Sequence, residues 1–188
     1  MLRAVALALL VLIPLACSGP APAPAPQTID RYGAPSVSSP RTVTSMANNP
    51  CEGPLTRQEL RTLGITVDGE PRSVPSGARA CTWTDRNTLN EFSNVVYPAR
   101  DILVDTYRVR LFPVFDATTI GGLPATIEQS TQDSITCTIT VGTDAGQGFV
   151  ATYTQLEVPA GQRPDDPCGR GQRIVEEIVA KLPPAPTR

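Results

Sequence analysis

The pattern of hydrophobic and polar positions predicts a sheet in the second half of the chain. From residue 135 to 141, apolar side chains alternate with threonines, so this segment should turn one face to a core and the other to solvent. Residues 149–156 follow the turn Gly146-Gln147-Gly148 and should pair with it as an antiparallel hairpin. Further strands are predicted at 79–85, 92–97, 118–120 and 125–128, the last two flanking a glycine-rich bulge or bend at 121–124.

One helix is predicted before the first of these strands, and a second is predicted between them. The first, near residues 55–60, carries a capping box formed by Thr56 and Glu59, and Gly64 supplies the signal for its end. The second is predicted at 101–109, although its β-branched residues weaken the helical pattern.

A third helix is predicted to close the domain. Asp166 should cap it, with Pro167 in its first position and Pro183-Pro184 at its end. Its apolar stripe consists of Ile174, Val175, Ile178, Val179 and Leu182. The order of elements predicts an α+β fold, in which an antiparallel sheet of about four or five strands has helices packed on one face. We place this single domain at residues 51–183 and a disordered tail at 184–188.

Residues 1–16 have the features of a secretory signal peptide. Their apolar core of about ten residues is short for a membrane span, which needs about twenty. The segment 13–17 resembles a bacterial lipobox, in which the cysteine, here Cys17, is acylated and becomes the mature N-terminus; Pro14 and Leu15 depart from that pattern. The alternative is ordinary secretion with cleavage after Ala21-Pro22-Ala23, where the following proline would block the usual signal peptidase.

Acylation of Cys17 would determine both the location and the first partner of the protein. Palmitate-type acyl chains on this cysteine would insert into the membrane lipid. They would hold the protein outside the cytoplasm, on the outer face of the plasma membrane. Residues 17–50 are rich in Pro, Ala and Ser and are predicted to form a disordered tether.

The other four cysteines, Cys51, Cys81, Cys137 and Cys168, allow three pairings in an oxidising compartment. We favour Cys51 with Cys81 and Cys137 with Cys168, because each pair joins the start of a predicted helix to a predicted strand across a loop of about thirty residues. A zinc site is the alternative, but the chain contains no Cys-x-x-Cys spacing.

Composition then excludes several classes of chemistry. The 188 residues contain no His, which excludes the Ser-His-Asp triad, the Cys-His dyad and His-ligated metals. A net charge of −2 argues against nucleic acid as a partner. The adjacent acids Asp165-Asp166 and Glu176-Glu177 should point apart, and Lys181 fits the last turn of a helix. We therefore predict no catalytic residue, no metal site and no cofactor.

A ligand groove is the sharpest site hypothesis that the residues allow. Aromatic rings interleaved with arginines suit an anionic or glycan ligand. The residues proposed to line it are Tyr97, Arg100, Tyr107, Arg108 and Arg110, with Tyr153 as a further aromatic candidate. Trp83, next to Cys81, should pack against the disulfide, with ligand stacking as the alternative.

The order of these motifs resembles a known family. The features that carry the resemblance are Cys51 before a short helix, the segments 81–83 and 115–125, the Cys137 strand and Asp166-Pro167-Cys168 opening the last helix. Together they resemble small actinobacterial secreted lipoproteins of unknown function, over about residues 51–183. More distantly, the arrangement is similar to the extracellular sensor domain of a mycobacterial receptor Ser/Thr kinase. Neither resemblance implies a catalytic residue.

Two functions follow as expectations. The first is a non-catalytic binding or accessory module of the cell envelope, whose partner is an envelope protein, a glycolipid or a wall polymer. The alternative is a cell-envelope hydrolase that uses carboxylates only, for which a pocket should hold two carboxylates about 5 to 10 Å apart.

Overall fold

The computed structural model describes residues 30–74, 77–158, 161 and 165–186. Within these ranges the chain forms four helices and seven strands. The helices are α1 (Thr44–Asn48), α2 (Arg57–Thr62), α3 (Ile102–Val109) and α4 (Pro167–Lys181). The strands are β1 (Glu70–Ser73), β2 (Arg79–Asp85), β3 (Asn90–Tyr97), β4 (Val114–Ile120), β5 (Leu123–Gln129), β6 (Thr136–Asp144) and β7 (Gln147–Gln155). None of the helices in these ranges is long and apolar enough to cross a membrane.

All seven strands form one antiparallel sheet in the order β1-β2-β3-β7-β6-β5-β4. The antiparallel sheet is confirmed, but the prediction of about four or five strands is wrong. The edge strand β1 was missed because its four residues are all exposed and carry no alternating pattern. Backbone pairing with β2, rather than burial of its own side chains, holds this strand in place.

The segment 121–124 forms a tight hairpin rather than the predicted bulge or bend. Ile120 lies opposite Leu123, so that Gly121 and Gly122 alone make the turn between β4 and β5. Both glycines have a left-handed φ, of 56° and 82°, and this conformation matches the twist of a two-residue hairpin. The irregularity of the sheet lies instead near the end of β6, between Gly142 and Asp144.

Helix α4 covers one face of the sheet and forms the main core. The five residues of its predicted apolar stripe are all buried, as are the apolar residues of β6 from Cys137 to Val141. Asp166 accepts a hydrogen bond from the Gly169 amide at 2.9 Å, and Pro167 occupies the first turn, which confirms the predicted start of the helix.

Helix α3 packs on the opposite face, so the prediction of helices on one face is wrong. The Thr106 hydroxyl lies 3.4 Å from the Thr140 hydroxyl, whereas the neighbouring Ile139 approaches α4 at Gly171. Because adjacent residues of a strand point to opposite faces, α3 and α4 enclose the sheet from two sides. A second buried cluster on the α3 side consists of Ala34, Leu103, Val104 and Tyr107, with Phe115 packed against it.

Two paired glycines allow α3 to lie close to the sheet. Gly142 of β6 and Gly148 of β7 are opposite each other in register. A Cβ atom at Gly142 would stand 2.8 Å from Leu103 Cδ2, and one at Gly148 would stand 2.8 Å from Ile102 Cγ2. Any side chain at these positions would therefore push the helix outwards.

The domain begins earlier than predicted, because residues 31–50 belong to the folded unit rather than to a disordered tether. Val43 and Met46 are fully buried in the main core, and α1 forms around them. The predicted tail also takes part, since Arg41 pairs with Pro184 and the Ala185 amide donates to the Pro40 carbonyl at 3.0 Å. Residues 1–16, the lipobox with Cys17 and the start of the tether lie outside the described residues.

Both predicted disulfides are confirmed. Cys51 bonds Cys81 with a Cα–Cα distance of 5.2 Å, and Cys137 bonds Cys168 with a Cα–Cα distance of 5.0 Å. The second bridge ties the first turn of α4 to β6, an interior strand of the sheet. Such bonds persist in oxidising compartments and indicate that the protein is extracytoplasmic.

The predicted capping box at α2 is confirmed and extends to α4. Thr56 accepts from the Glu59 amide while the Glu59 carboxylate accepts from the Thr56 amide, and Lys181 of α4 also donates to that carboxylate. The Lys181 hydrogen bond, followed by those from Thr56, lowers the pKa of Glu59 from 4.5 to about 2.

Replacing Glu59 by Gln should lower the free energy of unfolding at pH 7. A carboxyl whose folded pKa is lowered stabilises the fold above its unfolded pKa, and this contribution disappears as the pH falls from about 4.5 towards 2. The E59Q variant should therefore differ from the natural chain at pH 7 and approach it in stability at low pH, as measured by chemical denaturation. E177Q, on the exposed side of α4, is the control. An equal loss of stability at every pH would contradict the prediction.

Candidate functional site

The five residues proposed for a ligand groove lie around α3, but they differ in burial and in the contacts that they make. The Arg100 guanidinium stands 6.0 Å from the Tyr97 ring, at the end of β3. Tyr107 is buried and belongs to the second core cluster, so its ring packs rather than faces solvent. Tyr153 is buried in the main core on the α4 side, away from this region. The aromatic part of the predicted groove is therefore mostly core.

The arginines of this region share few acidic partners. Arg100 and Arg108 both pair with Asp105, at 2.5 and 2.8 Å. Arg110, which follows α3 in a left-handed conformation, places its guanidinium 4.8 Å from the centre of the Phe115 ring. In the part of the chain that the structure describes, Arg110 makes no ion pair. The cluster consequently carries an excess of positive charge.

A groove of about 260 Å³ runs between α3 and the sheet, and we call it the α3 groove. Its walls are apolar side chains of α3 and of the following loop, and its floor is the threonine-bearing face of β5, β6 and β7. The residues that line it are Arg100, Ile102, Asp105, Thr106, Val109, Leu111, Phe112, Glu128, Thr138, Thr140 and Val150. Of the five residues proposed from the sequence, Arg100 lines this groove and the other four are not among its lining residues.

Glu128 is the functional candidate that sequence reasoning missed. It is only 4% exposed, on the α3 face of β5, where it lies opposite Thr138 of β6 and Phe115 of β4. Thr126 donates a hydrogen bond to its carboxyl at 2.9 Å, and Thr140 bonds it as well. Burial raises the pKa of Glu128, and these two hydroxyls offset only part of that effect.

The floor of the groove continues into an open face of threonines. Thr138 lies opposite Thr152, and Thr136 lies opposite Thr154 with 3.1 Å between the two hydroxyl oxygens. These side chains are half-buried, as the alternating pattern of β6 predicts for the face away from the main core. The face offers methyl and hydroxyl groups but little charge, so the charged groups of the region are concentrated around the α3 groove.

Two other cavities are weaker candidates for a functional site. One of about 320 Å³ touches the Cys51 disulfide and Trp83, but Trp83 is buried and its ring packs 5.5 Å from that of Phe92. This supports the predicted core role of Trp83 over ligand stacking. A wider hollow of about 710 Å³ lies between α1 and the β1–β2 edge and is lined by mixed polar groups, including Arg72 and Arg79.

The other acidic and basic candidates have structural partners. Asp166 caps α4, and Asp165 lies 3.6 Å from the Arg170 guanidinium. Glu176 accepts a hydrogen bond from Gln172, and Lys181 bonds Glu59. These contacts agree with the capping and helix-surface roles that the sequence indicates.

Replacing Glu128 by Gln should flatten the pH dependence of stability. A carboxyl whose folded pKa is raised holds its proton more tightly in the fold, so its contribution is present at low pH and is lost as the pH rises through the folded pKa. The natural chain should lose stability over this range, and E128Q should lose less, as measured by thermal unfolding between pH 4 and pH 8. D116N, which changes an exposed acid on β4, is the control. A stability loss in E128Q that matches that of the natural chain over this range would refute the assignment.

Comparison with known proteins identifies a family. No curated protein and no solved structure matches the chain. A family model, described as protein of unknown function (DUF3558), matches residues 14–181, which include most of the described residues and overlap the proposed lipobox. The chain belongs to this DUF3558 family.

Proposed function

We propose that the protein is a membrane-anchored lipoprotein of the cell envelope that acts outside the cytoplasm as a non-catalytic binding or accessory module. The lipobox at Cys17 supports the anchor, and the two disulfides support the compartment. The resemblance to small actinobacterial secreted lipoproteins and, distantly, to a receptor kinase sensor domain favours the same role. Its partner would be an envelope protein, a glycolipid or a wall polymer.

The observation that carries the binding role is the α3 groove. It combines an apolar lining with a buried Glu128 whose carboxyl is held by two threonine hydroxyls. Such a group stays neutral to higher pH than an exposed glutamate, so the groove accepts an apolar ligand and still offers a hydrogen-bonding group to orient it.

A hydrolase that uses carboxylates only is the second candidate, because Glu128 and Asp105 both line the groove. Glu128, with its raised pKa, has the property of a general acid. Asp105, however, is held by the guanidinium groups of Arg100 and Arg108, which occupy its oxygens and disfavour a role as base. This arrangement favours binding over hydrolysis.

Replacing Cys17 by Ala should release the protein from the membrane. Without the thiol no acyl chain can be attached, and the hydrophobic anchor is lost. Fractionation of cells should then recover the C17A protein in the medium, whereas the natural chain and an S18A control should stay with the membrane. Retention of C17A at the membrane would exclude the lipid anchor.

Photocrosslinking in living cells tests the groove as the binding site. Leu111 lies at its lip and is 73% exposed, so a benzophenone side chain there should reach a bound partner without disturbing the fold. Leu156, 42% exposed and outside the groove, is the matched control position. A discrete adduct should form at position 111 and not at 156. The absence of an adduct at 111, or the same adduct at both positions, would overturn the binding role of the groove.

A further inference from the structure

We propose that the α3 groove binds a single acyl chain that carries an anionic head group, with the chain along the groove and the head at the arginines of its mouth. This inference rests on the binding role proposed above and names the chemistry of the ligand.

The apolar walls of the groove are the evidence for the acyl chain of the ligand. Ile102 and Val150 face it from α3 and β7, and Phe112 lines it from the loop after α3. At the lip, Val109 and Leu111 are 60% and 73% exposed, although both are large aliphatic residues. Exposed aliphatic side chains that continue an apolar groove are typical of a surface that a hydrophobic ligand covers.

The size of the groove favours a slender ligand. Its volume of about 260 Å³ is below the range of about 300 to 1,000 Å³ that is usual for pockets of drug-sized molecules. An unbranched hydrocarbon chain fits such a trough. The buried ring of Tyr107 is not available to stack on a sugar, which disfavours a glycan at this groove.

The charge at the mouth defines the head group. Arg100 and Asp105 line the groove, and Arg108, which is outside the lining, shares the Asp105 carboxylate with Arg100. One carboxylate for two guanidinium groups leaves an excess of positive charge here. Arg110, which is also outside the lining, adds a further cation over the ring of Phe115, the residue opposite Glu128 in register, and has no acid partner among the described residues. Guanidinium groups bind carboxylate and phosphate oxygens through paired hydrogen bonds, so an anionic head complements this mouth.

The floor of the groove is compatible with this ligand. Glu128 lies beneath it, with Arg100 and Asp105 facing it from α3, Thr138 and Thr140 from β6, and the Phe115 ring from β4. Burial raises the pKa of the Glu128 carboxyl, so this group is charged over a narrower range of pH than an exposed glutamate and repels an anion less. In its protonated form, the carboxyl can donate a hydrogen bond to a carbonyl oxygen near the head of the chain.

The direct test is calorimetric titration of the full chain with dodecanoate. The chain should carry Cys17→Ala, so that its own acyl groups do not compete for the groove. We expect saturable binding at one site, with butyrate and dodecyl maltoside each binding at least about ten-fold more weakly, because the first lacks the chain and the second the charge. Equal binding of dodecyl maltoside would overturn the anionic head group, and equal binding of butyrate would overturn the acyl chain.

A matched pair of variants locates the site. Thr138 lines the groove, and Thr152 lies directly opposite it on β7, on the same face but outside the lining. T138F should fill the groove and weaken dodecanoate binding by at least about ten-fold, while T152F should stay within about two-fold. Equal affinities in the two variants would place the ligand elsewhere.

Variants of surface residues test the same site in case T138F does not fold. L111D changes an exposed residue of the lip and should weaken binding by at least about ten-fold, whereas L156D should not. R110Q should weaken dodecanoate binding and leave that of dodecyl maltoside unchanged. Failure of dodecanoate to bind while the crosslink at Leu111 forms would refute the acyl ligand alone, and failure of both would refute the binding role as well.

Discussion

The pairing of β6 with β7 is the interaction on which both sides of the molecule depend. These strands lie at the centre of the sheet, and adjacent residues of β6 serve different cores: Ile139 meets α4 while Thr140 meets α3. A one-residue slip of this register would exchange the two faces and remove both cores at once. The disulfide between Cys137 and Cys168 ties β6 to α4, the helix that packs on both of these strands.

The two faces have different physical characters. The α4 face is a continuous hydrophobic core that also takes in α1, α2 and the first disulfide. The α3 face is mostly threonine, and its helix covers only the end near Gly142 and Gly148. Stability therefore comes mainly from one side of the sheet, and this leaves the other side free to keep partly exposed apolar groups and a buried acid. The residues of the proposed binding groove therefore lie where the fold depends on them least.

The elements that can be predicted from the sequence are those whose own residues form a recognisable local pattern. The alternation of β6, the stripe of α4 and the Thr56 cap are local patterns, and each forms as expected. Strand β1 and helix α1 are held by partners distant in sequence, so no local pattern marks them. Glu128 was missed for a related reason: a polar residue on an alternating strand is taken to face solvent unless a helix is known to cover that face. The clue was the pair of glycines opposite each other in the β6–β7 hairpin, which indicates that something packs closely above them.

Those two glycines also determine the dimensions of the α3 groove. The height of α3 above the sheet is fixed by contact between its side chains and bare backbone at Gly142 and Gly148. The spacing is thus a property of the scaffold, while the residues that line the groove contribute only its chemistry. A change of the lining residues that keeps both glycines would therefore leave the width of the opening unaltered, whereas alanine at either position would require a wider one.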